Sequence, residues 1–297
     1  MYHRSVLLTE SIEGLAIRPG GIYVDATFGG GGHSEAILSR LEDGKLFAFD
    51  QDADALANKP DDPRITLVNN NFRYIRNFLK LYKAVPVDGI LADLGISSHQ
   101  IDQPERGFST RFEAGLDMRM DRRKGLSAKE IVNTASEEQL TKIFREYGEV
   151  RNAQKAARLI AGKRKEQPVE TTGELKAVLA PCTGRGKENK FFAQVFQALR
   201  IEVNQELEAL REFLVQGTDL LRPGGRFVVI SYHSLEDKLV KNYFRTGNFG
   251  GNVEKDFYGN VKAPLRMVIR KAVTPSEEET EMNSRARSAK LRIAEKN

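Results

Sequence analysis

The segment 23-YVDATFGGGGHSEAIL-38 places four consecutive glycines between a strand-like run and a helix-like run. A chain uses glycine where its backbone must turn sharply or lie close against another group, because glycine has no side chain to obstruct either. Four glycines in a row exceed what a tight turn needs. We therefore interpret residues 29–32 as a ligand-binding loop at the first crossover from strand to helix.

Strand and helix signals alternate around this loop, from residue 21 to about residue 95. Apolar runs typical of strands occupy residues 21–26, 45–50, 64–69 and 87–95. Helix-like runs lie between them at residues 33–41, 52–57 and 72–82. Repeated units of one strand and one helix, with apolar strands, predict a parallel, doubly wound α/β sheet.

The alternation stops near residue 103, and no strand candidate follows until after residue 211. Two helices in this block begin with a capping-box pattern, Ser127 with Glu130 and Ser136 with Gln139. A single long amphipathic helix is predicted at its end, over residues 190–214.

Strand signals return at 223–231, 263–272 and 289–295, whereas 247–262 and 274–287 have the composition of mobile loops. The sequence thus predicts a discontinuous α/β domain, residues 1–102 and 212–297, interrupted by an all-helical domain over residues 103–211.

The composition is that of a globular protein of a reducing compartment. The 297 residues are 40% hydrophobic and 29% charged, and they carry a single cysteine, Cys182. No apolar run approaches the roughly 20 residues of a membrane span, and the first residues lack a signal-peptide core, so we expect a cytoplasmic protein. The net charge of +5 is compatible with a nucleic-acid partner. The four histidines and one cysteine show no metal-ligand spacing, so no metal is predicted.

Three ligands compete for the glycine loop. A phosphate-binding P-loop needs Lys and then Ser or Thr after its last glycine, but His33 and Ser34 stand there. A dinucleotide fingerprint needs a third glycine or an alanine where Ser34 or Glu35 stands, so its match is imperfect. S-adenosylmethionine (AdoMet) needs close approach to glycine backbone and an acid for its ribose. Asp50, at the tip of the second strand, would serve either a dinucleotide or AdoMet, so both remain open here.

Several longer segments, taken together, resemble one family. They are VLLTESIEGLAIRPGGIYVDATFGGGGHS, DGILADLGISSHQID, ERGFS, LDMRM, FQALRIEVNQEL, PGGRFVVISYHSLED and NSRARSAKLRIAE, in order from residue 6 to residue 295. These segments resemble the small-subunit ribosomal RNA methyltransferase H family, also called RsmH or MraW. LDMRM and SYHSLED are far more specific than the glycine loop.

The resemblance implies a Rossmann-like class I AdoMet methyltransferase sheet with an inserted helical recognition domain. It implies methyl transfer to the exocyclic N4 of a decoding-centre cytidine of 16S rRNA, within an assembled or nearly assembled 30S subunit. By motif position, the residues implied to bind AdoMet are Gly31, Gly32, His33, Asp50, Phe72, Asp93 and Gln100.

The reaction needs a hydrogen-bond acceptor beside the amine, because the lone pair of cytosine N4 is delocalised into the ring. Asp93, at the end of an apolar strand, is the first candidate for this catalytic role. The other catalytic candidates are Ser97, Ser98 and Tyr232, and Tyr232 could also stack on an extruded base. Other amino methyltransferases follow this acid with two prolines and an aromatic residue, and the sequence DLGISS lacks all three.

Asp117 and Arg119 of LDMRM, with His233 and Ser234, are further candidates for contact with the substrate. Basic segments at 118–125, 161–167, 183–190 and 284–292 are the predicted RNA contacts. The alternatives to rRNA methylation are transfer to another amine on RNA or protein, a nicotinamide-dependent oxidoreductase, and a non-catalytic RNA-binding assembly factor.

Overall fold

The structure, a computed structural model, describes residues 5–259 and 262–297. It divides into two compact units. The sheet unit comprises Met1–Gly95 and Leu207–Asn297, and the helical unit comprises Ile96–Glu206. Residues 96–102, which the sequence pattern placed in the α/β domain, thus group with the helical unit.

The sheet unit is built on a seven-stranded sheet with the strand order β3-β2-β1-β4-β5-β7-β6. The strands are β1 Ile22–Asp25, β2 Lys45–Phe49, β3 Ile65–Val68, β4 Val87–Asp93, β5 Leu221–Ser231, β6 Leu265–Met267 and β7 Lys290–Lys296. Strands β1 to β5 are parallel to one another, and β7 runs antiparallel to both β5 and β6. The predicted doubly wound α/β sheet is confirmed.

Twelve α-helices accompany the sheet in the described residues. They are α1 Leu8–Leu15, α2 Gly32–Leu38, α3 Ile75–Leu81, α4 Ser98–Asp102, α5 Ala128–Thr134, α6 Glu137–Gly148, α7 Ala153–Lys163, α8 Thr172–Leu179, α9 Glu188–Asn204, α10 Glu206–Leu220, α11 Ser234–Thr246 and α12 Glu277–Met282. Helices α4 to α9 lie in the helical unit. No helix of the described ranges is long and apolar enough to cross a membrane.

Both faces of the sheet are buried, as a doubly wound sheet requires. Consecutive strand residues point to opposite faces, and they enter different apolar clusters. Ile90 and Phe227 belong to one cluster, whereas Leu91 and Val228 belong to the other. Because these strands are parallel, the carboxyl ends of β1, β2, β3 and β4 lie at one edge of the sheet.

The helical unit has its own apolar core, formed mainly by α5 to α9. Both predicted capping boxes are confirmed. The side chain of Ser127 accepts from the Glu130 amide at 3.3 Å, and that of Ser136 accepts from the Gln139 amide at 3.2 Å. Each satisfies an amide that the first turn of a helix leaves without an intrahelical partner.

The single helix predicted over residues 190–214 is wrong, because Gln205 interrupts it. Gln205 adopts a left-handed conformation with φ of 51°, so α9 ends at Asn204 and α10 begins at Glu206. The apolar stripe is consequently divided between two cores. Val203 packs on the core of the helical unit, whereas Leu207 and Leu210 pack on that of the sheet unit.

One predicted loop, residues 274–287, contains regular structure instead. Helix α12 begins there because the Ser276 hydroxyl accepts from the Glu279 amide at 3.1 Å. The Ser-x-x-Glu spacing of this cap is a sequence signal for the start of a helix. The other predicted loop, 247–262, includes residues 260 and 261, which lie outside the described residues.

Candidate active site

The glycine loop leaves β1 at the carboxyl edge of the sheet. Different structural constraints act on its individual glycines. Gly29 and Gly31 have φ of 51° and 83°, a left-handed conformation that favours glycine. A Cβ on Gly32 would collide with the hydroxyl of Ser5. Gly30 has neither constraint: no atom lies within 4 Å of the position its Cβ would take. The exposed backbone at Gly30 is therefore open to a ligand.

Asp25 holds this loop in place through hydrogen bonds. It is fully buried, and its two carboxylate oxygens accept from the Thr27 amide at 3.0 Å and the Ser34 hydroxyl at 2.7 Å. Burial raises the pKa of this carboxyl above its ordinary value. Asp25 thus ties the strand end to α2 across the glycines.

Asp50, directly after β2, lies against the glycine loop. Its Oδ2 accepts from the Gly29 amide and its Oδ1 from the Asp52 amide, both at 2.8 Å. A carboxylate offers about four acceptor positions, so each oxygen retains one after these two bonds. Burial raises the pKa of Asp50 to about 6, so it is largely ionised at neutral pH. The group can accept two further donors beside the loop.

Asp93, the last residue of β4, forms the second acidic group of this edge. Its Oδ1 accepts from the Tyr232 hydroxyl at 2.8 Å, and its backbone amide donates to Thr27 Oγ1 at 2.6 Å. Its side chain keeps 22% exposure. Burial raises the pKa of Asp93 to about 6, although the Tyr232 hydrogen bond lowers it. Asp93 is therefore a fixed, partly accessible carboxylate.

His33, at the start of α2, faces Asp93 from the glycine loop. Its Nδ1 lies 3.8 Å from Asp93 Oδ2, and its Nε2 lies 3.2 Å from the Val6 carbonyl oxygen. A carbonyl only accepts hydrogen bonds, so Nε2 carries the hydrogen and Nδ1 is left as an acceptor in the neutral ring. Burial lowers the pKa of His33, which keeps the ring neutral at physiological pH.

The sequence matches the MraW methylase family over residues 1–297. The chain belongs to this family. Among curated relatives, the ribosomal RNA small subunit methyltransferase H of Christiangramia forsetii is 57% identical, over 99% of this chain and 98% of its own. The protein of the same name from Cytophaga hutchinsonii is 57% identical over the full length of both chains. A solved rRNA methylase from Streptococcus thermophilus is 12% identical over 99% of each chain, with a TM-score of 0.44.

As a member of the MraW methylase family, the protein is a methyltransferase that uses AdoMet. The residues at the sheet edge fit this molecule. The open backbone at Gly30 allows close approach, and the two remaining acceptor positions of Asp50 match the two hydroxyls of a ribose. The anionic groups Asp50 and Asp93 suit the positive charge of a sulfonium.

Phe72 lies in a 3₁₀ turn just after β3, at the same edge. Its ring packs on Phe213 with centroids 4.9 Å apart and remains partly exposed. The turn is held by Asn71, whose side chain accepts from the Arg73 amide at 2.9 Å and donates to Gln51 at 2.7 Å. Phe72 thus packs partly against the core of the sheet unit, and its role toward adenine stays a prediction.

Of the remaining candidates, His233 and Ser234 lie at the start of α11 in the sheet unit. The others belong to the helical unit: Ser97, Ser98, Gln100, Asp117 and Arg119. Ser97 and Gln100 form a capping box on α4: Ser97 Oγ accepts from the Gln100 amide, and Gln100 Oε1 accepts from the Ser97 amide, each at 3.1 Å. In LDMRM, Asp117 Oδ1 accepts from Arg119 Nε at 2.8 Å. These contacts give the residues local structural roles, and their predicted functional roles stay predictions.

Two supporting residues are absent from the set predicted from the sequence. Thr27 positions the Asp93 backbone, as described above, and Glu236 is buried and accepts from the Tyr232 amide at 3.0 Å. Thr27 lies between the end of β1 and the glycines, two residues before Gly29, which is a signal for a role in the loop. Glu236 lies within SYHSLED, yet only the fold shows that it holds the backbone of Tyr232.

Proposed function

We propose that this methyltransferase acts on 16S rRNA and methylates the exocyclic N4 of cytidine 1402. The curated relatives support the rRNA substrate by their name, ribosomal RNA small subunit methyltransferase H. The observation that carries the choice of an amine is the Asp93 carboxylate. Its Oδ1 accepts a hydrogen bond from Tyr232, the Asp93 backbone amide donates a second to Thr27, and the side chain remains partly accessible at the carboxyl end of β4.

AdoMet, when bound, supplies the electrophilic methyl group. In this proposal Asp50 would accept from the ribose hydroxyls, and the exposed part of Phe72 would contact the adenine. Gly31, Gly32 and His33 would hold the amino-acid end. The hydrogen bonds that already occupy Asp50 support this role, because they fix both carboxylate oxygens before a ligand arrives.

Asp93 accepts a hydrogen bond from the N4 amine of the target cytosine. This contact draws electron density toward the nitrogen and orients its lone pair for in-line attack. As the new N–C bond forms, the bond between the methyl carbon and the sulfonium sulfur breaks, its electron pair stays on sulfur, and the nitrogen must lose a proton. The Asp93 carboxylate, with a pKa near 6, receives that proton and passes it to solvent through its exposed side.

Tyr232 acts here as a positioning residue for Asp93. Its hydroxyl donates to Asp93 Oδ1 at 2.8 Å, and a Cβ on Gly95 would come within 3.3 Å of its ring. The hydrogen bond lowers the pKa of Asp93, which favours the accepting, ionised form. If Tyr232 instead stacked on the base, its ring would have to do so while its hydroxyl kept the hydrogen bond to Asp93.

The helical unit is proposed to bind the RNA of the small subunit, and its basic surface supports this. In the segment 118–125, Arg119 and Arg123 are paired with aspartates. Arg122 and Lys124 are exposed in the same segment. Contacts of this type make affinity fall steeply with salt.

Methyl transfer to purified small subunits, followed by mass spectrometry of 16S rRNA digests, tests the proposal. We expect one N4-methylcytidine at position 1402, formed by the wild-type protein and strongly reduced with Asp93→Asn. A methyl group on another RNA amine would refute the assigned position. Binding of AdoMet and small subunits without any transfer would instead favour a non-catalytic assembly factor.

A further inference from the structure

One face of α11 in the sheet unit is basic and exposed. Lys238, Lys241 and Arg245 lie three and four residues apart, a spacing that places them on one side of the helix. All three are exposed. They lie outside the four basic segments predicted from the sequence to contact RNA.

The acidic residues of α11 do not neutralise this face. Asp237 accepts from Arg292 Nε at 2.7 Å and from Lys290 Nζ at 3.3 Å, and Glu236 is buried. Within the described residues, Lys238, Lys241 and Arg245 form no ion pair with any carboxylate. Three positive charges are thus available to an anionic partner.

A loop with exposed aromatic residues starts beside the same helix. Phe249, near its beginning, stacks on Tyr243 of α11 with centroids 5.0 Å apart, and the Arg211 guanidinium lies 5.1 Å from the Phe249 ring centroid. Arg245 then donates to the Gly251 carbonyl at 3.2 Å, and Asn242 donates to the Phe249 carbonyl at 2.9 Å. The base of the loop is therefore fixed to the basic helix.

The tip of this loop presents two aromatic rings to solvent. Phe257 is 98% exposed and Tyr258 is 85% exposed. The tip has defined local structure: Asp256 accepts from the Tyr258 amide at 2.9 Å, and the Lys262 amide donates to the Glu254 carbonyl at 2.8 Å. A fold gains nothing from two adjacent exposed rings of this kind, which favours a role in binding.

We propose that this surface, the α11 basic face with Phe257 and Tyr258, binds a single-stranded segment of the rRNA substrate. The cations would contact phosphates, and the two rings would stack on bases, the combination by which proteins hold single strands without reading their sequence. Charge complementarity favours RNA over a protein partner, because the exposed charged side chains of this helix face are all positive. The inference rests on the rRNA substrate proposed above and adds a second RNA contact, in the sheet unit.

The test compares three full-length variants with the wild type. The first is Phe257→Ala with Tyr258→Ala, and the second is Lys238→Ala with Lys241→Ala. The matched control is Lys45→Ala with Lys80→Ala, which removes two exposed lysines elsewhere on the sheet unit. Arg245 is left intact because it supports the loop.

Binding to a labelled single-stranded fragment of 16S rRNA and to small subunits is measured over a range of salt concentrations. Stacking contributes about 1–3 kcal/mol per base, so the aromatic variant, which loses two stacked rings, should bind at least about 30-fold more weakly. The lysine variant should reduce the steepness of the salt dependence by about 1.4, because each phosphate that is no longer neutralised lowers the slope by about 0.7. The control should match the wild type, and AdoMet affinity should be unchanged in all variants.

If the aromatic and lysine variants have the same RNA affinity and the same salt dependence as the control variant, this inference is wrong. Weaker binding to small subunits with unchanged binding to the free RNA would also overturn it, since the surface would then contact ribosomal protein. The proposed function is judged separately, by whether the wild-type protein methylates small subunits. Among variants that retain transfer, the inference requires a higher KM for small subunits with little change in kcat.

Discussion

Replacing Asp93 by asparagine should abolish most methyl transfer while making the protein more stable at pH 8. Burial raises the pKa of this carboxyl from its ordinary value of 3.8 to about 6. This difference corresponds to about 3 kcal/mol, since a tenfold change in an equilibrium constant is about 1.4 kcal/mol. Because the side chain keeps 22% exposure, we expect a gain of about 2–3 kcal/mol in the free energy of unfolding.

The sign of this stability change follows from the pH range in which the folded and the unfolded chain each bind the Asp93 proton. The folded protein holds the Asp93 proton up to about pH 6, whereas the unfolded chain releases it near pH 3.8. The contribution of Asp93 to stability is thus fully present below pH 3.8 and is lost as the pH rises through 6. Asparagine never ionises, so the variant avoids that loss. The two proteins should differ at pH 8 and converge toward pH 4.

The local contacts also suit asparagine. Its side-chain oxygen can keep the bond from the Tyr232 hydroxyl. Its amide nitrogen would face His33 Nδ1, which is left as an acceptor because Nε2 donates to the Val6 carbonyl. The substitution therefore leaves no buried polar group without a hydrogen-bond partner.

Urea unfolding followed by circular dichroism suits this protein, which has no tryptophan. The wild type and Asp93→Asn are compared without AdoMet at pH 8, 6 and 4.5. Asp62→Asn is a control of opposite sign, because Arg64 lowers the pKa of Asp62 to about 2. A variant at Asp93 that is less stable than the wild type at pH 8, or a difference that does not change with pH, would refute the reasoning.

Three further predictions concern the glycine loop and the proposed catalytic carboxylate. Asp50→Ala should weaken AdoMet binding about 10- to 150-fold in calorimetry, because charge-assisted hydrogen bonds contribute about 1.5–3 kcal/mol, and unchanged affinity would exclude Asp50 from the ribose site. Gly30→Ala should leave the unfolding free energy within about 0.5 kcal/mol of the wild type, since no protein atom lies near the position its Cβ would take. It should nevertheless weaken AdoMet binding. An unchanged affinity for AdoMet would mean that the ligand does not approach Gly30. Tyr232→Phe should move the acidic limb of the kcat/KM profile to higher pH, because the hydrogen bond that it removes lowers the pKa of Asp93; an unshifted limb would remove Tyr232 from the positioning role.

The sequence was sufficient for the sheet because its signals are local and repeated. The parallel strands are mainly apolar on both faces, and the glycines and acids follow strand ends, so their common edge could be inferred from the parallel arrangement. The break at Gln205 could not be inferred, because the apolar stripe continues without interruption through residues 190–214. Only the existence of two cores explains why the helix ends within a continuous pattern.

The site was predicted less completely than the fold, for a physical reason. Asp50 and Asp93 could be selected by their places after strands. The pairing of Tyr232 with Asp93, however, joins residues 139 positions apart, and nothing in either segment specifies its partner. The same holds for His33 and the Val6 carbonyl, which together fix a ring tautomer that composition cannot reveal.

The acids of the sheet edge explain why this site suits a cationic ligand at a cost in stability. In addition to burial, the charge of Asp25 raises the pKa of both Asp50 and Asp93, because like charges disfavour one another's ionised forms. A positively charged sulfonium placed among them would relieve that repulsion and favour ionisation of all three. The thioether left after methyl transfer has no such charge and would lose this attraction. The acidic edge would therefore bind the methyl donor more tightly than its product, which favours exchange after each turnover.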